Sequence, residues 1–121
     1  MKNFANYPSL KDRAVIVSGG ASGIGAELVR GFAAQGARVG FLDLDEAAGR
    51  ALADELGEDV HFEKCDLRDV DALKSAISSL REQIGAISVL VNNAARDDRH
   101  DWREVTEDYW DERAATNIRH Q

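Results

Sequence analysis

The sequence lacks the features that mark membrane-spanning, secreted and disulfide-bonded proteins. No apolar stretch among its 121 residues approaches the roughly 20 that a membrane-spanning helix needs. The N-terminus has no basic segment followed by an apolar one, so we do not expect secretion. The single cysteine, Cys65, cannot form an internal disulfide, which fits the cytoplasmic location that we expect.

Basic charge and metal-ligand patterns are scarce as well. With 15 Lys and Arg against 22 Asp and Glu, the chain has no basic stripe, so we expect no nucleic-acid partner. No metal site is expected either, because no two of the three histidines have the spacing of a helical ligand pair. The remaining composition, 44% hydrophobic and 31% charged, is that of one small globular domain.

Short apolar runs alternate with helical patterns along the chain. The runs predict strands at residues 14–18, 38–43, 60–65 and 87–91, and the polar third run is expected at a sheet edge. Helices are predicted between them, and a fourth helix follows an N-cap at Thr106. This order predicts an α/β fold: a Rossmann-type, doubly wound parallel sheet with about four strands, four helices and right-handed crossovers.

The longest irregular stretch, residues 92–105, is polar and charged, and long loops after parallel strands are often functional. A doubly wound fold needs further strands beyond the fourth helix, which runs almost to Gln121. We therefore expect residues 1–121 to be the N-terminal part of a longer domain. The alternative is a complete domain of four strands.

A glycine-rich turn joins the first predicted strand to the first predicted helix. Gly19 permits a tight turn, Gly23 lets backbone N–H groups approach a pyrophosphate, and Gly25 lets the helix pack close to the strand. The helix N-terminus then presents unpaired donors to an anion. The position between strand and helix favours a dinucleotide site over a glycine-rich connection without a ligand.

An acid, Asp43, ends the second predicted strand. Its carboxylate can accept hydrogen bonds from ribose hydroxyls and would repel a 2′-phosphate by about 1–4 kcal/mol, roughly ten- to a thousandfold in affinity. The glycine turn holds no Lys or Arg, and the neighbours of Asp43 are Leu42 and Leu44. NAD is therefore predicted rather than NADP, unless Asp43 is only a solvated acid at a strand end.

The glycine spacing, G-x-x-x-G-x-G, resembles that of the short-chain dehydrogenase/reductase family. Ser18 before the turn and Ile24 within it fit the same pattern. The resemblance implies an NAD site that includes Ser22, Ile24 and Leu44. It also implies that an acid after the third strand, Asp66 in C-D-L, bonds the adenine amino group.

Leu67 would then lie beside the adenine ring. Asp66 is also a candidate N-cap for the following helix, and the two roles are compatible. After the fourth strand, V-N-N-A-A resembles the family's N-N-A-G, with alanine in place of the glycine. This implies a structural role for Asn92 and a cofactor contact near Asn93 and Ala94.

The catalytic residues of the family are expected mostly outside this sequence. Asn117 corresponds to an asparagine that holds a water in the family's proton relay; the alternative is a surface or interface residue. The family's tyrosine, the lysine four residues later and the orienting serine are expected beyond the last residue. Tyr7 and Lys11 have the right spacing, but they precede the first strand, and Pro8 breaks the helix that would bring them together. Residues 1–121 alone would bind part of a dinucleotide without turnover.

Three segments resemble more narrowly the bacterial NAD-dependent dehydrogenases of D-xylose and similar aldoses, which oxidise C1 to the lactone. They are YPSLK, DDRH, and YWDER with the later Asn117, Arg119 and His120. The resemblance implies a small alcohol or sugar as substrate and a homo-oligomer, such as a homotetramer, as the assembly. Residues 97–101 would lie near the sugar, unless they form a solvated charged loop. A non-catalytic NAD-binding module is the competing function.

Overall fold

The computed structural model describes residues 5–96 and 101–121. DDRH, and with it most of the predicted sugar loop, lies outside the described residues. The elements are β1 (Ala14–Ser18), α1 (Gly23–Ala34), β2 (Arg38–Asp43), α2 (Glu46–Leu56), β3 (Val60–Lys64), α3 (Val70–Ile84), β4 (Ile87–Val91) and α4 (Glu107–Ala114). A π-helical turn, Ala115–Arg119, continues α4.

In the described part of the chain, the four strands form one parallel sheet in the order β3-β2-β1-β4. The polar strand β3 lies at an edge, as predicted. Each crossover carries a helix, which parallel pairing requires because the chain must return to the same end of the sheet. The predicted α/β architecture of four strands and four helices is confirmed.

The two central strands, β1 and β2, are buried on both faces of the sheet, and their alternate residues pack on opposite sides. Val17 of β1 and Phe41 of β2 belong to a core cluster with α1 and α2. Ile16, Leu42 and Leu80 belong to a second cluster, which includes α3. Each fully buried Leu or Phe of this kind contributes roughly 1.5–3 kcal/mol. The two clusters fix the strand register and therefore the positions of the loops that follow the strands.

Side chains cap three of the helices. The predicted N-cap Thr106 accepts a hydrogen bond from the Tyr109 N–H at 3.1 Å. The N-cap of α3 is Asp69, which accepts from the Ala72 N–H at 3.0 Å. The suggestion that Asp66 caps α3 is therefore wrong, because α3 begins at Val70, too far along the chain for Asp66 to reach its first N–H groups.

Three short helical turns were not predicted from the sequence. Pro8–Leu10 forms a 3₁₀ turn before β1, and Trp102–Glu104 forms another within the predicted loop. The third is the π-helical turn after α4. Among residues 5–96 and 101–121, no helix is long and apolar enough to cross a membrane, and no group of three His, Cys, Asp or Glu residues could hold a metal ion.

Candidate nucleotide-binding site

A cavity of about 660 Å³ lies at the carboxyl ends of the strands. The loops that follow all four strands described here contribute to its wall, together with Thr116 of the π-helical turn. Every residue that the sequence predicted to bind the cofactor lines this cavity: Gly19, Ser22, Gly23, Ile24, Gly25, Asp43, Leu44, Asp66, Leu67, Asn93 and Ala94. Parallel strands bring these separate segments together because they all end at the same edge of the sheet.

The glycine turn is tied to the loop after β4 by one buried hydroxyl. Ser18 Oγ accepts hydrogen bonds from the N–H groups of Asn93 at 3.0 Å and Ala94 at 3.1 Å. The Asn93 side chain donates to the Gly19 carbonyl at 3.1 Å. Asn93 therefore ties the two loops together, while Asn92 is exposed and its predicted structural role stays a prediction. Successive residues of an extended chain point to opposite sides, so only one of the two asparagines faces the turn.

The three glycines of the G-x-x-x-G-x-G pattern have different surroundings. Gly19 has φ +70°, and a Cβ there would lie 2.9 Å from the Cα of Ala94. A Cβ on Gly25 would overlap the carbonyl oxygen of Gly19. Gly23 has φ +57°, and apart from its chain neighbours and the backbone of α1, no heavy atom of the described residues lies within 4 Å of a Cβ built on it. Close packing thus accounts for two of the glycines, and the third borders open space that a ligand can enter.

The N-terminus of α1 differs from that of α2. Among the described residues, the α1 N-cap Ser22 makes no side-chain cap bond, and the first turn of α1 holds no acid. In α2, Asp45 accepts from the Ala48 N–H at 3.1 Å, and Glu46 lies in the first turn. The first N–H groups of α1 and its positive dipole end therefore meet no acid of their own turn, an arrangement that suits a phosphate group.

The Asp43 carboxylate stabilises the loops on both sides of it. Its Oδ2 accepts from the Ala21 N–H at 3.0 Å, and its Oδ1 accepts from the Asp45 N–H at 2.9 Å. A carboxylate has about four acceptor positions, so about two remain for other donors. Lys64 of β3 lies opposite Asp43 in the register of the sheet. Its ammonium forms its ion pair with Glu46 instead, with Nζ 3.7 Å from Glu46 Oε2.

Asp66 is held in a bidentate ion pair with Arg68. Arg68 Nε donates to Asp66 Oδ1 at 2.9 Å, and Arg68 Nη2 donates to Oδ2 at 2.7 Å. The hydrogen bond from Arg68 lowers the pKa of Asp66, so the carboxylate stays ionised at neutral pH. Arg68 also lines the cavity. The sequence analysis missed it, although its spacing of two from an exposed loop acid was a usable signal.

Three further residues of the cavity wall were not assigned to the site: Cys65, Ala95 and Thr116. Burial, followed by the charge of Asp66, raises the pKa of the Cys65 thiol, so Cys65 remains a protonated, weakly polar wall residue. Thr116 immediately precedes Asn117, and that adjacency was the only signal for it.

Asn117 is outside the cavity wall but is fixed beside it. Its Oδ1 accepts from the Arg96 N–H at 2.7 Å, and its Nδ2 donates to the Arg96 carbonyl at 3.0 Å. The amide therefore ties the π-helical turn to the loop after β4. Its part in a proton relay stays a prediction.

Sequence comparison places the chain among dehydrogenases. Residues 13–120 match the family described as short chain dehydrogenase. A probable galactose dehydrogenase of Rhizobium meliloti is 47% identical over 120 residues, which are 96% of this chain and 47% of that protein. A D-xylose 1-dehydrogenase of Caulobacter vibrioides is 49% identical over 119 residues, 96% of this chain and 46% of that protein. The chain spans about half the length of the curated relatives it matches.

Two solved structures share the fold. A 3-ketoacyl-(acyl-carrier-protein) reductase from Brucella melitensis, complexed with NADH, matches 92% of this chain and 46% of its own with a TM-score of 0.85 at 23% identity. A point variant of actinorhodin polyketide ketoreductase with NADPH matches 89% of this chain and 42% of its own with a TM-score of 0.82 at 30% identity. With a Rossmann-like sheet, a glycine turn at its carboxyl edge and the family match over residues 13–120, the chain belongs to the short chain dehydrogenase family.

Proposed function

We propose that the protein containing this chain is an NAD-dependent oxidoreductase that oxidises an alcohol or an aldose of the D-xylose type, at C1 to the lactone. One observation carries the proposal: the N-terminus of α1, which has no acid in its first turn, surrounds a single cavity together with Asp43 and Asp66. Those groups suit, in order, a pyrophosphate, ribose hydroxyls and an adenine amino group. When bound, NAD supplies the hydride acceptor of the reaction.

We assign the pyrophosphate to the N–H groups at the start of α1, around Gly23 and Ile24. The open space at Gly23 supports this assignment, because a side chain there would stand where a phosphate has to approach. Asp43 would accept from the ribose hydroxyls with its two remaining acceptor positions. Ser22 and Leu44 complete this part of the proposed site.

At the two ends of the dinucleotide we assign Asp66 and Leu67 to the adenine and Asn93 and Ala94 to the ribose beside the nicotinamide. Asn117 is proposed for the proton relay, through a water held beside the π-helical turn. Residues 1–121 would then form the NAD-binding part of the domain. We propose a cytoplasmic homo-oligomer as the assembled enzyme.

Replacing Asp43 tests the choice of NAD over NADP. Asp43→Ser removes the charge that would repel a 2′-phosphate, so we expect the affinity ratio of NAD to NADP to fall by about ten- to a thousandfold. Isothermal titration of the intact protein with both dinucleotides measures the ratio. The ratio is the useful quantity, because loss of the bonds to Ala21 and Asp45 should weaken both ligands.

The matched control is Asp54→Ser, which removes an exposed acid from α2 and should leave the ratio unchanged. Equal or tighter binding of NADP by the unmodified protein would overturn the proposed cofactor preference.

The substrate proposal is tested on the intact protein with a panel of aldoses and simple alcohols. It is supported by the two relatives named for galactose and D-xylose, which match over 96% of this chain. We expect NADH formation with an aldose and release of the corresponding lactone. Nucleotide binding without turnover of any aldose or alcohol would instead favour a non-catalytic module.

A further inference from the structure

The loop that connects β3 to α3 is held from two sides. Within the loop, the guanidinium of Arg68 grips the carboxylate of Asp66. From outside, Arg119 Nη2 donates to the Arg68 carbonyl oxygen at 2.5 Å. Residues 68 and 119 are 51 positions apart in the sequence, so this bond fastens the loop to a distant element.

Arg119 belongs to the π-helical turn Ala115–Arg119, and this turn also holds the loop after β4. Asn117 makes two hydrogen bonds to the backbone of Arg96, and Arg96 Nη1 bonds Glu112 of α4 at 2.9 Å. Thr116 lines the cavity between the two loops. The turn therefore links the loop on the Asp66 side of the cavity to the loop on the Asn93 side.

The bonds to Asp66 leave it little freedom. Arg68 supplies donors from its backbone N, its Nε and its Nη2. They occupy about three of the four acceptor positions of a carboxylate, so about one remains. An acceptor of this kind can bond the 6-amino group of adenine, whereas the 6-keto oxygen of hypoxanthine would be repelled. A small displacement of the loop would lose that single bond.

We propose that Arg119 is a positioning residue for the nucleotide site: by holding the Arg68 carbonyl it fixes the loop that carries Asp66, and so sets the preference for a 6-aminopurine. The inference rests on the proposed function, because Asp66 is assigned there to adenine. Arg119 itself contacts the loop backbone and is absent from the cavity wall formed by the described residues.

The experiment compares ADP with IDP, which differ at the 6-position of the purine, by isothermal titration of the intact protein. Arg119→Ala should weaken ADP binding about three- to tenfold, the worth of one hydrogen bond, and IDP binding much less. Arg119→Lys should recover part of the loss, because its ammonium still offers a donor. Arg50→Ala removes an exposed arginine of α2 that pairs with Glu46, and it should leave both affinities unchanged.

Thermal unfolding of each variant shows whether it is folded. If Arg119→Ala does not fold, Arg119→Lys and Arg119→Met give the same comparison of a retained with a lost donor. If Arg119→Ala leaves the ratio of the ADP and IDP affinities unchanged, whether both weaken equally or neither weakens, the role of Arg119 is overturned. Failure of the unmodified protein to prefer ADP contradicts instead the assignment of Asp66 in the proposed function.

Discussion

Gly25 and Gly31 lie on the same helix but have opposite surroundings. A methyl group on Gly25 would overlap the Gly19 carbonyl, so Gly25→Ala must displace the turn. We expect a loss of about 1–3 kcal/mol in the free energy of unfolding, as for other overpacked positions, and weaker nucleotide binding. Urea unfolding measures the first, and titration with ADP measures the second.

Gly31→Ala is the matched control, because apart from its chain neighbours and the backbone of α1, no described heavy atom lies within 4 Å of a Cβ built there. Alanine favours a helix over glycine, so this variant should gain about 0.5–1 kcal/mol. Similar stability changes in the two variants would contradict the packing argument.

At the scale of single residues, the sequence predicted which residues line the cavity better than it predicted their hydrogen-bond partners. The residues of the glycine turn that line the cavity could be recognised in the sequence because turn chemistry and helix polarity are local properties. The bond from Asn93 to Gly19 was not predicted, because it joins residues 74 positions apart in the sequence. The sequence suggested Asp66 as the cap of α3, and only the first residue of that helix, Val70, shows that the cap is Asp69.

At the scale of elements, the N-caps of α1 and α3 differ in whether they form a hydrogen bond that stabilises the helix. Asp69→Ala removes the bond to the Ala72 N–H, so we expect a loss of about 1 kcal/mol in the free energy of unfolding. Ser22→Ala removes no cap bond among the described residues and should cost clearly less. Urea unfolding of both variants makes the comparison, and an equal loss would show that the Ser22 hydroxyl does cap α1.

The strands and main helices could be predicted because each shows its period in the sequence. The continuously apolar β1 is buried on both faces, and the more polar β3 lies at an edge. The π-helical turn could not be predicted in the same way. Its outward bonds, from Asn117 to Arg96 and from Arg119 to Arg68, go to loops far away in the sequence.

At the scale of the whole molecule, the stability of the fold should decrease at acid pH because its ion-paired carboxylates become protonated. Arg68 lowers the pKa of Asp66, and a hydrogen bond from Arg50 is the main cause that lowers the pKa of Glu46. A carboxyl whose pKa is lower in the folded state stabilises fully above its unfolded value, about 4, and loses that contribution as pH falls through the folded value. We therefore expect stability to decrease below about pH 4.

The variant Arg68→Met isolates the contribution of Asp66 to the pH dependence of stability. That variant should lose less free energy of unfolding than the unmodified protein between pH 5 and pH 2, in urea titrations at each pH. The difference should be at most about 1 kcal/mol, because solvent screens an exposed pair. Arg81→Met, on the exposed side of α3, should leave the pH dependence unchanged. Identical pH profiles for all three proteins would contradict the role of the pair.

Because helices pack on both sides of the sheet, the core consists of two separate hydrophobic clusters. Phe41 and Phe62 lie on the α1–α2 side with ring centroids 5.2 Å apart, so their leucine substitutions should be non-additive in a double-mutant cycle, with a coupling of about 0.5–1.5 kcal/mol. Phe41→Leu and Leu80→Ala act on opposite sides and should add within about 0.5 kcal/mol. Either layer of helices could then be redesigned or diversified in a library while the other is left untouched.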